Sequence, residues 1–352
     1  MIEAVKFRNF KVLRDATLPL GPFTLIVGPN GSGKSTALQG LEAFRTSGVG
    51  NDALAHHQVA SLGVDDRVSL AITYSPIGGT VEVIRFWEKK GQQGRHIATI
   101  APPNKRGQQG RRITTFGPPN PDRLHEDLLN SLSQMRIFSL RAPILAQSVA
   151  LQPGITLGAD GAGLAGVLDQ LRDTDPERFE ALNHALQLWL PEFDRVLFET
   201  PAAGQRAFLL RTRLGRYKIA ASELSEGTLL ALALLTLAYL PQPPAIVCFE
   251  EPDRATHPRL LRRVQDALYR LAYPESVGED RPPVQVIATT HNPYFLELFR
   301  DHPEEVVIAS KRGLEASFER LSDRPNIEDM LKGVHLSEIW YSGVLEGVPS
   351  GV

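Results

Sequence analysis

Residues 28–36 combine closely spaced glycines with a lysine and two hydroxyl side chains, in the order GPNGSGKST. They fit the pattern G-x-x-x-x-G-K-[ST], in which the N–H groups of a glycine-rich loop converge on phosphate oxygens. Lys34 would place a positive charge at the outer phosphates, and the Ser35 hydroxyl would ligate Mg²⁺. The predicted chemistry is therefore the binding of a nucleoside triphosphate with magnesium. The residues predicted to bind the nucleotide are Gly28, Pro29, Asn30, Gly31, Ser32, Gly33, Lys34, Ser35 and Thr36.

Two later segments place acidic and imidazole side chains directly after apolar runs. AIVCFEEPD ends in Glu250 and Glu251, and VQVIATTHNP carries His291. Open α/β sheets bind ligands at the carboxyl ends of their strands, so these side chains are expected to meet at the phosphates. Glu250 would hold Mg²⁺ or its water, since Mg²⁺ takes one or two carboxylates. Glu251 would polarise the attacking water, and His291 would touch the γ-phosphate or orient that water.

A third segment, SELSEGT at 222–228, leads into an apolar helix and offers a second anion-binding position. Ser225 and the free N–H groups of a helix start are suited to a phosphate. A single fold cannot easily bring this start to its own phosphate loop. Each segment also has a simpler interpretation, with Ser222 or Ser225 as a helix cap, the two glutamates as exposed charges, and His291 as a cap or core residue. The order of all the segments in one chain favours a nucleotide site.

The elements that must position these groups follow from apolar periodicity. A buried strand precedes the loop and a helix over Lys34–Phe44 follows it, while an α/β pattern returns from Leu224 to about Ile308. Between them lies a long insertion of strands and then helices. Strands are predicted at 2–7, 23–27, Val68–Tyr74, Thr80–Trp87, Val196–Phe198 and Ala207–Leu214, and helical periodicity extends over 122–148 and 162–190.

This pattern predicts an α/β fold with discontinuous domains. The predicted domains are an ATPase core at 1–50 and 220–310, an antiparallel β insert at 51–121, a helical lobe with return strands at 122–219, and a C-terminal tail at 311–352. No long heptad tract is present in the sequence.

Within the insertion, residues 89–104 and 105–120 form an internal repeat that shares Lys, GQQGR, Ile, Thr and PPN. Two copies are too few for a solenoid. One interpretation is a local duplication that extends a hairpin or loop. The other is a nucleic-acid or partner contact made by basic residues. These are Lys89, Lys90, Arg95, Lys105, Arg106, Arg111 and Arg112.

Composition excludes several classes of protein. The 352 residues are 42% hydrophobic and 22% charged, which is typical of a globular protein of about two domains. The net charge of −2 gives no global basic field, so nucleic acid would meet a local patch. Cys248 is the single cysteine and excludes an internal disulfide framework. The N-terminus lacks a signal-peptide apolar region, and the run Leu229–Leu240 is too short to span a bilayer, so a cytoplasmic protein is expected.

Together these motifs resemble the ABC-type ATPases of the SMC/RecF/OLD superfamily. VKFRNFKVLRDATLPLGPFTLIVGPNGSGKST is similar to the first strand and Walker A motif, LSEGT to the signature, CFEEPDRATHP to Walker B with its D-loop, and TTHNP to the switch histidine. The segments GADGAGLAGVLDQL and HLSEIWYSG resemble a compact bacterial branch of AAA-like or RecF-like ATPases. The resemblance implies a P-loop NTPase of the ABC-type head, with an antiparallel β subdomain and an inserted helical lobe.

The resemblance also implies how the site is completed. Two chains would sandwich two ATP molecules, and the signature of each chain would cap the phosphate of the other. That signature comprises Leu224, Ser225, Glu226, Gly227 and Thr228. The metal ligands would be Ser35, Glu250 and a magnesium-sensing glutamine, for which Gln58 is the candidate. The chain departs from the family pattern in two places, since Glu250 replaces the Walker B aspartate and His257-Pro258 replaces the Leu-Asp of transporter-style D-loops.

The function this implies is an ATP hydrolase that dimerises around ATP and Mg²⁺ in DNA repair, recombination or phage defence. DNA and an effector protein are the further partners considered. The alternative is the ATPase subunit of a membrane transporter, which the FRNF opening strand and the long insertion before LSEGT disfavour. An OLD-type nuclease would need a Toprim domain, and the late acidic residues do not form its pattern. Those residues are Glu315, Glu319, Glu328 and Asp329.

Overall fold

A computed structural model describes most of the chain. The described residues are 1–46, 59–61, 67–74, 81–87, 96–100, 113–116, 128 and 130–345. Gln58 and most of the GQQGR repeat lie outside them. Contacts divide the chain into a first unit, Met1–Met135 with Ile287–Val352, and a second unit, Arg136–Val286.

The α/β class predicted from the sequence is confirmed. The helices are α1 (Lys34–Thr46), α2 (Ala142–Leu145), α3 (Leu164–Thr174), α4 (Pro176–Trp189), α5 (Glu226–Ala238), α6 (Leu261–Ala272), α7 (Pro293–Glu297), α8 (Ile327–Met330) and α9 (Leu336–Tyr341). The strands are β1 (Ile2–Phe10), β2 (Leu13–Pro19), β3 (Phe23–Val27), β4 (Val68–Tyr74), β5 (Val81–Trp87), β6 (His96–Ile100), β7 (Ile113–Phe116), β8 (Arg136–Phe138), β9 (Val149–Ala150), β10 (Phe193–Glu199), β11 (Gln205–Thr212), β12 (Lys218–Ala220), β13 (Ile246–Glu250), β14 (Gln285–Thr290), β15 (Val306–Arg312) and β16 (Glu315–Arg320). Among the described residues, none of these helices is both long and apolar enough to cross a membrane.

An antiparallel sheet in the first unit has the strand order β2-β1-β4-β5-β6-β7. The side chains of Val5 and Phe7 on β1 are buried while those of Glu3 and Lys6 are exposed, as expected for a strand with one face on the core. β4 lies where the sequence placed it, and β5 begins one residue later than predicted. β6 and β7 come from the two repeat copies and pair with each other. The duplication thus extends the sheet by a hairpin.

The strand before the phosphate loop belongs to a second sheet. Within the first unit the strand order is β16-β15-β3-β14, where the last four residues of β14 belong to this unit. All five residues of β3 are buried, as the continuous apolar run predicts for a strand covered on both faces. β15 runs parallel to β3, with Ile308 opposite Val27. This strand pair fixes the point from which the loop departs.

The second unit also contains a parallel strand pair, formed by β8 and β13. β8 corrects the helical prediction for 122–148, because Arg136–Phe138 is extended and pairs with Val247–Phe249. The return strands β10 and β11 form an antiparallel sheet with β12. Helix α5 is buried on every side from Thr228 to Ala238, which accounts for a run of leucine and alanine without a polar face.

A cluster of charges stabilises the second unit around Glu279, whose side chain is 8% exposed. Arg270 Nη2 lies 2.6 Å and Arg178 Nη1 3.1 Å from Glu279 Oε1, while Arg281 Nε lies 2.7 Å from Oε2. Burial alone would raise the pKa of Glu279, but the hydrogen bond from Arg281 and the three positive charges hold it below its ordinary value. The carboxylate is therefore charged in the folded protein.

We expect Glu279→Gln to lower the free energy of unfolding at pH 7 by about 3 kcal/mol, because it leaves three guanidinium groups without their shared counter-charge. Urea denaturation measures this directly. Because the pKa is lowered on folding, the carboxylate stabilises the protein above its unfolded-state pKa and the stabilisation is lost as the pH falls through the folded-state pKa. The difference between wild type and variant should thus shrink below pH 4.5.

Glu180→Gln is the matched control, because its pair with Arg195 is 2.7 Å long but both side chains are more than 40% exposed, at 47% and 43%. This variant should lose less than about 1 kcal/mol. Equal losses in the two variants, or a pH-independent difference for Glu279→Gln, would contradict the stabilising role of the cluster.

Candidate functional site

The phosphate loop in the first unit holds its lysine folded back over the loop itself. Lys34 is 7% exposed, and its Nζ donates hydrogen bonds to Gly28 O at 2.6 Å and Pro29 O at 2.9 Å. Both of these acceptors are uncharged backbone carbonyls, so the buried ammonium group lies against the backbone of the glycine-rich loop. Its strongest complement would be an anion with oxygen atoms.

The glycines of the loop are required for two different reasons. Gly31 and Gly33 have φ of 78° and 97°, in the left-handed region where glycine is favoured. Gly28 is required instead by crowding. A Cβ at this position would overlap the carbonyl oxygen of Ala309 on β15 and lie 2.7 Å from Ser32 Oγ. Ser32 is itself 1% exposed. The conformation of the loop therefore depends on close packing as well as on the backbone angles of its glycines.

Helix α1 starts at Lys34, and Ser35 at its first turn is exposed. The carbonyl of Gly33 accepts the hydrogen bond of Ala37 N at 2.8 Å, so the helix begins directly at the end of the loop. The N–H groups of a first helical turn have no partner within the helix and carry a partial positive charge. This start can bind a phosphate and leaves the Ser35 hydroxyl available to a cation.

His291 follows β14, which is the neighbour of β3 in the first unit. The residue is exposed, whereas Thr290 before it is fully buried. Thr290 Oγ1 accepts a hydrogen bond from Asn292 N at 3.0 Å, and Asn292 Oδ1 accepts one from Tyr294 N to cap α7. The histidine is thus presented at the end of a buried strand by a hydrogen-bonded turn.

The tail supports α7 from the other end. Glu297 Oε2 accepts a hydrogen bond from Ser337 N at 2.9 Å, and its Oε1 lies 3.0 Å from His335 Nδ1. These contacts join the C-terminus of α7 to the N-terminus of α9, which packs against it. The segment HLSEIWYSG therefore braces the helix that follows the candidate histidine.

In the second unit, Ser225 is the N-cap of α5. Its Oγ accepts a hydrogen bond from Thr228 N at 3.1 Å and lies 2.8 Å from Thr228 Oγ1. Ser225 and Glu226 are exposed, and Leu224 and Gly227 are half-buried. The cap interpretation of Ser225 is therefore correct, and the exposed helix start remains able to receive an anion.

β13 ends at Glu250, and the chain then turns sharply. Glu251 has a φ of 48°, a left-handed conformation that costs a residue with a side chain roughly 1–2 kcal/mol. The turn is closed by hydrogen bonds from Arg254 N to Glu251 O and from Thr256 N to Asp253 O. Glu250 and Glu251 are both half-buried. Strain of this kind is typical of functional turns.

The turn after β13 and the start of α5 lie against each other within the second unit. A Cβ on Gly227 would come within 2.5 Å of Ala255 O, and Arg254 Nε lies 3.3 Å from Glu226 Oε1. The structure thus brings Glu226 and Gly227 of the SELSEGT segment to the acidic turn. The phosphate loop and His291 belong to the first unit and these groups to the second. Arg254 was missed by the sequence analysis, because no pattern in the chain distinguishes it from an ordinary exposed arginine.

The available donors suit a magnesium ion shared with phosphates. Among the described residues, no group of three or more His, Cys, Asp or Glu side chains could hold a metal ion by itself. Mg²⁺ typically takes one or two protein oxygen ligands and completes its shell with substrate phosphates and water. Ser35 Oγ in the first unit and the Glu250 carboxylate in the second are each, taken separately, oxygen donors of this type. Gln58, the third candidate, lies outside the described residues.

Two family models match the chain. Residues 123–297 match the family described as "AAA domain, putative AbiEii toxin, Type IV TA system", and residues 1–90 match the family described as "AAA ATPase domain". The OLD nuclease of Thermus scotoductus is 50% identical over 42 residues. That stretch is 12% of this chain and 8% of the nuclease.

Several solved structures share the fold. The Smc head bound to the C-winged helix domain of ScpA has a TM-score of 0.56 and 16% identity, over 90% of this chain and 96% of that one. The Pyrococcus furiosus Smc head with an extended coiled coil has a TM-score of 0.56 and 14% identity, over 90% and 95%. The Pyrococcus yayanosii head has a TM-score of 0.51 and 12% identity, over 94% and 99%. At these identities the likeness shows the fold alone.

Proposed function

We propose that this chain is an SMC/RecF/OLD-type ATPase that hydrolyses ATP in a dimer that the nucleotide holds together. The observation that carries the proposal is the presence of two anion-binding helix starts in one chain. One is α1 behind the phosphate loop, and the other is α5 with its exposed Ser225 cap. One bound triphosphate needs only the first, so the second would serve the nucleotide of another copy.

In this mechanism the loop residues and Lys34 bind the β- and γ-phosphates. Ser35 and Glu250 would hold a Mg²⁺ ion, which would supply positive charge to these phosphates. Glu251 accepts a proton from water as the water oxygen attacks the γ-phosphorus. The bond between the γ-phosphorus and the bridging oxygen breaks, and ADP leaves with that oxygen. His291 orients the water or donates to the γ-phosphate, and Ser225 of a second copy closes the site over that phosphate.

The direct test measures molar mass by light scattering and phosphate release, with and without ATP and Mg²⁺. A doubling of mass with ATP together with phosphate release would support the proposal. A protein that stays monomeric with ATP and releases no phosphate would contradict it. ADP serves as the control, because it lacks the γ-phosphate that the second copy would contact.

We further propose a nucleic-acid partner, which would place the ATPase in DNA metabolism or defence. The favouring observation is the turn between β11 and β12. Arg213, Arg216 and Lys218 are exposed there, and none of them forms a salt bridge among the described residues. Tyr217 between them is 69% exposed. Two hydrogen bonds close the turn, because Thr212 Oγ1 donates to Leu214 O at 2.7 Å and accepts from Tyr217 N at 2.9 Å. Cations that interleave with an aromatic ring suit a single-stranded nucleic acid.

We expect the double variant Arg213→Glu with Lys218→Glu to weaken binding of a fluorescent oligothymidine in an anisotropy titration. The slope of log affinity against log salt should fall by about 1.4, since each phosphate contact to a single strand contributes about 0.7. Arg262→Glu on α6, which reverses an exposed charge elsewhere in the same unit, should change neither quantity. Unaltered affinity and slope in the double variant would exclude this surface.

A further inference from the structure

One arginine in the second unit joins three separate segments around the acidic turn. We propose that Arg254 is a positioning residue that holds the signature helix start and the Glu251 turn as one rigid assembly. The inference rests on the proposed ATPase function. It concerns how the start of α5 and the turn that carries Glu251 are kept in a fixed relative position. Arg254 itself touches neither the nucleotide nor the water in this scheme.

The contacts of Arg254 run in two directions. Its Nη2 donates a hydrogen bond to the carbonyl of Leu140 at 2.6 Å, and its Nε lies 3.3 Å from Glu226 Oε1. Leu140 follows β8, which pairs in parallel with β13 and so moves with the strand that ends in Glu250. Glu226 is the first residue of α5. A planar guanidinium can satisfy both acceptors at once, whereas a lysine ammonium on a flexible stem holds such a geometry poorly.

The backbones on either side of this bridge are also in close contact. Gly227 lies so near Ala255 O that a Cβ would approach it to 2.5 Å. Ala255, like Glu251, has a left-handed backbone, with a φ of 54°. The turn therefore keeps an unfavourable conformation at two residues while it presses against the helix start. A strained turn persists only where its surroundings hold it, and Arg254 contributes one side-chain contact between the turn and the helix start.

The consequence is a coupling between phosphate binding at the start of α5 and the reaction at Glu251. Ser225 lies next to Glu226 in the chain and receives the phosphate of the other copy, while Glu251 handles the water for its own copy. Arg254 connects Glu226 to the turn that carries Glu251. Binding of a phosphate at the start of α5 therefore affects the position of the Glu251 carboxylate. Loss of the arginine should leave both parts folded but uncoupled.

The exposure of Arg254 makes the proposal testable without unfolding the protein. Its side chain is 42% exposed and that of Glu226 48%, so the ion pair adds little to global stability. Arg263→Ala is the matched control, because Arg263 is 44% exposed and forms a comparable surface pair with Asp266 on α6. Thermal unfolding of both variants should be close to that of wild type.

The decisive experiment compares Arg254→Ala, Arg254→Lys and Arg263→Ala in ATP titration, steady-state hydrolysis and ATP-dependent dimerisation. We expect Arg254→Ala to bind ATP as wild type does but to show roughly tenfold lower kcat and weaker dimerisation, the size of an ordinary coupling between contacting residues. Arg254→Lys should recover only part of the loss. In the double variant with Glu226→Ala the losses should be smaller than the product of the single losses, because both substitutions break the same bridge.

Three outcomes would overturn the inference. Wild-type kcat and dimerisation in Arg254→Ala would show that the bridge is dispensable. A parallel loss of ATP binding and thermal stability would show a purely structural role. Full recovery by lysine would show that only charge matters. If wild-type protein itself neither hydrolyses ATP nor dimerises with it, the proposed function fails first, and the inference falls with it.

Discussion

Lys34→Ala should raise the Kd for ATP by about 100-fold or more, because the variant loses a charged donor to two phosphate groups. The lysine is 7% exposed and its two acceptors in the loop, Gly28 O and Pro29 O, are uncharged carbonyls. Triphosphate oxygens are stronger acceptors and would draw the ammonium group away from them. Titration with a fluorescent ATP analogue measures the change, and hydrolysis should fall with binding.

Lys311→Ala provides the matched control, since it removes an exposed lysine from the same unit on β15. It should bind ATP as wild type does. Thermal unfolding of Lys34→Ala without nucleotide separates loss of the ligand contact from loss of the fold. An ATP affinity equal to that of wild type in Lys34→Ala would remove the loop from the nucleotide site.

Glu251→Gln should reduce phosphate release by about 100-fold or more while ATP binding is retained, since the water loses its general base but the loop is intact. The amide has nearly the same shape as the carboxylate, so the left-handed turn at residue 251 should be preserved. The variant is therefore expected to accumulate as an ATP-bound dimer. Light scattering after mixing with ATP would show a persistent doubling of mass, where wild type returns to the monomer as ATP is consumed.

Glu275→Gln is a suitable control because it neutralises an exposed glutamate of the same unit, far along the chain from the turn. It should hydrolyse ATP normally. Hydrolysis at the wild-type rate in Glu251→Gln would assign the base to another residue. A monomer in the presence of ATP for wild type and variant alike would exclude the sandwich arrangement.

The sequence was sufficient where a local pattern and a buried element coincide. The apolar run Phe23–Val27 is a fully buried strand, and the loop motif starts α1 at Lys34 as predicted. The alternation of Val68–Tyr74 gave that strand its correct bounds. Each of these features depends on residues close together in the chain, for which periodicity is informative.

Features that depend on distant partners were not predictable in this way. Arg136–Phe138 lies in a stretch with helical periodicity, yet pairing with β13 makes it a strand. β2 has few strand-forming residues and is held by its pairing with β1. Glu279 gathers arginines from three places in the second unit, and Arg254 reaches a carbonyl 114 residues away. Tertiary pairing overrides local propensity in the two strands, and the partners of the two charged residues come from distant parts of the chain.

The requirement for glycine at position 28 comes from a neighbour, since a Cβ there would overlap the carbonyl oxygen of Ala309. A substitution at position 28 therefore cannot be accommodated without a shift of the backbone at Ala309. A larger residue at 28 becomes acceptable only when β15 lies farther from β3, which would cost backbone hydrogen bonds along the pair. The phosphate loop thus owes the steric limit at its first glycine to β15, a strand far later in the chain.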